Sequence, residues 1–232
     1  DDINKINNIK DYNYVVYFDN DDISSNNINK ITKNKCKYIS CGKYYPVSKY
    51  YHTNILAKKC LVQSYEVVGK PSKFNLEDYT NIIQAIEMTK NIKGCYMEIG
   101  VMYGDSANVA ANYMNMIGLK RDCYFFDTYE GFKYKEAKES SDILWNGTHY
   151  INTPENHMKM VSDLVEKNNS ILDINVKKNN IITDSLPDNI KLIACCNIDV
   201  DMEEAVAAAL EKVCDLIPTH GIIICEDCGH TP

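Results

Sequence analysis

The sequence predicts a doubly wound α/β fold, a mostly parallel β-sheet with helices on both faces, preceded by an N-terminal extension. Three observations predict it. From about residue 74 onward, short apolar runs alternate with amphipathic segments of roughly ten to fifteen residues. Such alternation builds strand–helix–strand units, whose crossovers are right-handed and whose strands are parallel. Acidic residues also recur where the apolar runs end, and that is the edge at which ligands bind in such sheets.

Taken in order, FNLEDYTNIIQAIEMTKNIKG carries Ile82, Ile83, Ile86 and Met88 at helical spacing, with Gly94 placed as a stop. CYMEIG reads as a short buried strand, GDSANVAANYMNMIG as a helix ending at Gly118, and CYFFD as a second strand. A polar segment follows from residue 128 to about 154, then a helix near residues 157 to 167. A third strand is expected near Ile181. LIACCNID reads as the fourth strand, EEAVAAALEKVCDLI as a helix, PTHG as a turn and GIIIC as the fifth strand.

Residues 1 to about 72 differ from this pattern. Asn/Asp/Lys patches surround one apolar run, YVVYF, and a basic, Tyr-rich stretch, GKYYPVSKYY. They are expected to form an extension that packs as a lid or as the contact of a homodimer, with residues 73–232 forming the main domain. The first residue is Asp, which fits a domain fused to a larger polypeptide.

Composition narrows the function. With 25 basic against 32 acidic residues the net charge is -7, which opposes a nonspecific grip on nucleic acid. No apolar run is long enough to span a bilayer, and DDINKINNIK has no signal-peptide apolar region. The expectation is a cytoplasmic protein acting on a small-molecule or sugar substrate, with neither nucleic acid nor membrane as partner. Ten cysteines are scattered through the chain, some inside LIACCNID and GIIICED, and read as reduced thiols rather than a disulfide framework.

Two groups of residues carry chemistry. The first lies in YMEIGVMYGDSANVAA, where Glu98, Gly100, Gly104 and Ser106 are spaced E-x-G-x-x-x-G-x-S between a strand and a helix. Its glycines let backbone approach a ligand, but the spacing is not the G-x-G-x-x-G that cradles a pyrophosphate. One strand later, Asp127 has the character to bind two ribose hydroxyls. Ribose without pyrophosphate points to S-adenosylmethionine (SAM). The second group sets Asp199 and Asp201 beside Glu226 and Asp227 at the ends of adjacent strands. Acids that close need a raised pKa or a cation, and a divalent ion such as magnesium suits oxygen ligands. Glu203 and Glu204 fit the first turn of a helix instead.

From about residue 74 to the C-terminus, MEIGVMYGDS, FFDTYEGF, IITDSLPD, NIDVDMEEA and GIIICEDCGHTP resemble the macrocin O-methyltransferase family of SAM-dependent enzymes. The resemblance implies a class I methyltransferase fold and methyl transfer from SAM to a hydroxyl, on deoxysugars and with magnesium in characterised members. It implies that Glu98, Gly100, Tyr103, Gly104 and Ser106 form the cofactor loop and that Asp127 binds ribose. Thr128, Tyr129 and Gly131 would lie by the nucleoside, and Thr183, Asp184 and Ser185 near the adenine. Asp199, Glu226 and Asp227 would hold the metal. Asp199 would also touch the cofactor and accept the substrate proton, with His230 as second candidate base and His149 or His157 entering from the polar segment. Glu226 and Cys228 stand where many relatives have Asp and Tyr, and Met202 and Glu203 where Leu-Tyr is usual. The usual C-terminal helix and antiparallel strands are expected to be lacking. The acceptor implied is a sugar hydroxyl of a nucleotide sugar or glycan. The alternatives are a small phenol or catechol, or a noncatalytic SAM-fold module of a carbohydrate-processing polypeptide.

Overall fold

The computed structural model describes residues 14–17, 37–40, 54–69, 76–133, 135–139, 146–149, 152–167 and 169–226. YVVYF supplies β1 (Tyr14–Tyr17), which pairs in parallel with β2 (Lys37–Ser40), a strand that the composition did not announce. Helix α1 (Ile55–Val67) begins at Asn54, whose side chain accepts a hydrogen bond from the Ala57 amide at 3.0 Å, as an N-cap does. It falls in the stretch read as an extension, yet Ala57, Cys60 and Leu61 are buried in the same core as α2 (Leu76–Thr89).

The alternating part folds as expected, with one displaced strand. In chain order it comprises β3 (Cys95–Ile99), α3 (Asp105–Met116), β4 (Asp122–Asp127), the short α4 (Lys135–Glu139), α5 (Pro154–Glu166), β5 (Asp173–Lys178), β6 (Ile193–Ile198), α6 (Glu203–Val213) and β7 (Ile222–Cys225). The five strands form one parallel sheet in the order β5-β4-β3-β6-β7. β3 and β6 are buried at every residue, as central strands of a sheet covered on both faces must be. Along β3, Tyr96 faces the core with α1, α2 and α3, whereas Met97 and Ile99 face the core that contains Ala205, Ala209 and Val213 of α6.

The third main-domain strand is β5, not a strand at Ile181, which sits buried in the turn that follows. DINVKK is an edge strand with only Ile174 and Val176 packed on the core, so its apolar signal is weaker than that of the Ile181-Ile182 pair beyond it.

Chain order reverses at β3, between β4 and β6. That opens a crevice at the carboxyl ends of these strands. Register then aligns what lies there. Ile99 pairs with Phe126 and with Ile198, and Ile198 with Cys225. Gly100, Asp127, Asp199 and Glu226 therefore form the next row, and the ladder continues through it: Gly100 N–H donates to the Phe126 carbonyl at 2.8 Å, Asp199 N–H to Ile99 at 2.8 Å and Glu226 N–H to Ile198 at 2.9 Å.

Candidate active site

Gly100 turns the chain out of β3 with φ of 87°, and a Cβ there would lie 1.7 Å from the Asp199 carbonyl oxygen. Only glycine permits this approach. The next two amides, of Val101 and Met102, both donate to Asp127 Oδ2 at 2.8 Å, and the Tyr129 amide donates to Oδ1 at 2.7 Å. Asp127 thus ties the loop after β3 to the loop after β4. Met102 and Tyr129 take φ of 45° and 55°, a strained backbone for residues with side chains.

Beneath this loop Glu98 is fully buried and accepts from Ser106 Oγ at 2.6 Å and from the Tyr96 hydroxyl at 3.0 Å. Burial pushes its carboxyl up to about 8; the two hydrogen bonds pull the other way, and Asp199 and Asp127 add to the rise. Gly104, at φ of 82°, precedes α3, and a Cβ on it would meet Val161 Cγ1 of α5 at 3.0 Å.

The crevice is an open cleft at the carboxyl ends of β3, β4 and β6. Ile99, Phe126, Ile181, Val200 and Ala205 give it apolar walls. Asp127, Thr128, Asn179, Asn180, Asp199 and Asp201 supply the polar groups, and Phe132 and His149 close one side. Three carboxylates around an apolar slot favour a ligand that carries positive charge and a polar rim. Asn179 is 8% exposed. Its Nδ2 donates to the Ser185 carbonyl at 3.3 Å, which leaves Oδ1 buried and without a protein hydrogen bond.

A profile of the macrocin-O-methyltransferase (TylF) family matches residues 57–232. The chain belongs to the macrocin-O-methyltransferase family. It is accordingly a SAM-dependent O-methyltransferase. Among solved structures, the O-methyltransferase NovP superposes with a TM-score of 0.55 at 15% identity, over 77% of this chain and 84% of that one. CalS11, the calicheamicin methyltransferase, gives 0.52 at 14% identity over 76% and 79%. An apo structure of CalS11, described as a TDP-rhamnose 3'-O-methyltransferase of calicheamicin biosynthesis, gives 0.51 at 16% over 79% and 75%. At such identities the likeness shows the shared fold. No curated protein sequence matches the chain.

In this macrocin-O-methyltransferase fold, Gly100, Asp127, Thr128, Gly131 and Asp199 line the cleft together. Glu98, Tyr103, Gly104, Ser106 and Tyr129 stand outside its lining, in or beneath the loops that frame it. Thr183, Asp184 and Ser185 are exposed, and Asp184 Oδ2 accepts from the Asn180 amide at 2.8 Å. Asn179 and Asn180 line the cleft; no sequence signal marks them, because asparagine is common throughout this chain. Glu226 directly follows β7, in the row with Asp199. Asp227, Cys228 and His230 lie outside the described residues. His149 is on the cleft wall, whereas His157 is buried behind the loop and donates from Nε2 to the Met102 carbonyl at 2.7 Å.

Proposed function

We propose that the enzyme methylates a hydroxyl of a sugar, carried on a nucleotide or in a glycan, with SAM seated in the cleft and the acceptor over the ends of β6 and β7. The observation that carries this is the row of Gly100, Asp127 and Asp199 at the switch point of the sheet. There a sulfonium cation would meet carboxylates and a ribose would meet Asp127. CalS11 is a TDP-rhamnose 3'-O-methyltransferase, and this, together with family membership, supports the acceptor class. Asn179 Oδ1 is an acceptor in need of a donor, and the exocyclic amine of adenine supplies one.

Methyl transfer is a displacement at carbon. The acceptor oxygen forms the new C–O bond, the C–S bond breaks, S-adenosylhomocysteine leaves, and the hydroxyl proton goes to a base. Asp199 is the base proposed, because it lies both on the cleft and in the row of strand ends. His149, on the cleft wall, and His230 are the other candidate bases.

A divalent cation, held by Asp199, Glu226 and Asp227, belongs to the same proposal. Asp199 and Glu226 are oxygen donors at neighbouring strand ends, which suits a hard ion such as magnesium. Among the described residues no three metal-binding side chains converge, so the set needs Asp227. When bound, such an ion lowers the pKa of a coordinated hydroxyl by several units. The test is turnover of nucleoside-diphosphate sugars with SAM, in magnesium and in EDTA. Methylation of catechols but not sugars would replace the acceptor assignment, and full activity in EDTA would remove the cation.

A further inference from the structure

We infer that His157 is a positioning residue for the cofactor loop, holding residues 101–103 in the strained form that meets SAM; this rests on the SAM assignment above. Met102 is gripped at both ends of its polar backbone. Its N–H donates to Asp127 Oδ2 at 2.8 Å and its carbonyl accepts from His157 Nε2 at 2.7 Å. A carbonyl can only accept, so Nε2 carries the proton. His157 is 8% exposed and stands outside the cleft lining, with the Tyr103 ring edge-on to its own at 5.1 Å and the Tyr129 ring tilted at 5.9 Å. It therefore touches the loops after both β3 and β4.

The grip is needed because Met102 and Tyr129 both hold positive φ, a conformation that persists only where the surroundings over-determine it. Asp127 does this from the strand end. His157 does it from α5, which is itself fixed against the loop: His157 and Val161 lie four residues apart on one helix face, and Val161 is the residue that Gly104 is shaped to meet. Met102 and Asp127 both line the cleft, so a change in their geometry reaches the ligand directly although His157 does not.

The experiment compares the wild type with His157→Phe, which keeps a ring but removes the donor, and with His157→Gln, which keeps a donor. S-adenosylhomocysteine affinity by calorimetry, KM for SAM, kcat and Tm are measured, with amide exchange of the peptide covering residues 100–104. The expected result for the Phe variant is affinity weaker and KM higher by about tenfold, kcat at saturating SAM within about twofold, faster exchange in that peptide, and partial recovery in the Gln variant. Unchanged affinity with a lower Tm would reduce His157 to a packing residue, and a fall in kcat at unchanged affinity would make it a catalytic one; either overturns the inference. If the Phe variant does not fold, His157→Leu takes its place under the same criteria. Failure of the wild type to bind S-adenosylhomocysteine would overturn the cofactor assignment, and the inference with it, whereas a tight-binding wild type and Phe variant would overturn the inference alone.

Discussion

Gly100 and Asp199 share one constraint at the residue scale, since the first exists to let the backbone of the second come close. Gly100→Ala puts a methyl 1.7 Å from the Asp199 carbonyl oxygen at φ of 87°. It should cost about 3 kcal/mol or more, read as a lower urea midpoint. Asp127→Asn replaces one acceptor oxygen with a donor facing backbone N–H groups, so S-adenosylhomocysteine affinity should fall at least about tenfold; calorimetry with an unchanged Kd would refute its role. Glu98 gives a pH signature. Its carboxyl is pushed by burial from 4.5 up to about 8, so the folded protein keeps a proton that the unfolded chain releases. That stabilisation is full below about pH 4.5 and is lost as pH rises through about 8. Glu98→Gln removes the dependence. Tm profiles of the two proteins should diverge over that window, and parallel profiles would contradict a buried neutral acid. The motif spacing announced Glu98, Gly100 and Asp127. It said nothing of the three amides on Asp127 or of the buried Asn179 Oδ1 that lacks a protein donor, because both depend on where a loop from another strand comes to rest.

At the scale of elements, β6 and β7 bring Asp199 and Glu226 into one row, and α5 packs against the loop after β3. Asp199→Ala should reduce turnover by at least about a hundredfold while S-adenosylhomocysteine binding stays within about tenfold. EDTA should produce the same pattern and magnesium should reverse it; a methylation assay beside a binding titration separates the two effects. The strand ends were legible in the sequence because acids at the ends of apolar runs have no packing reason to be there. β5 was less so, since an edge strand with two core residues leaves a weak pattern. α1 was hidden for another reason. Its core contacts, Ala57, Cys60 and Leu61, are small or few within a polar stretch, and only the helices beside it show what they pack on.

On the whole-molecule scale, a ligand that fills the cleft joins the β3, β4 and β6 ends and should stabilise the fold. S-adenosylhomocysteine at a hundredfold above its Kd adds about 2.7 kcal/mol, which for a chain of this size raises Tm by about 5–10 °C. A thermal melt with no shift would count against cofactor binding. Among the described residues no helix is long and apolar enough to cross a membrane, and Cys60, Cys95, Cys123, Cys195, Cys196 and Cys214 carry free thiols. Burial pushes those of Cys60, Cys95 and Cys195 up to about 12, so they are packing groups rather than nucleophiles. The sequence by itself determined the parallel α/β fold, the family and the acids of the strand ends, because periodicity, turn glycines and local spacing are properties of neighbouring residues. Tertiary structure alone decided that Asn179 and Asn180 line the cleft while Thr183, Asp184 and Ser185 stand outside its lining. It alone set His157 behind the loop instead of on the substrate side. Both outcomes depend on contacts between segments far apart in the chain, and no local pattern of residue types encodes how such segments meet.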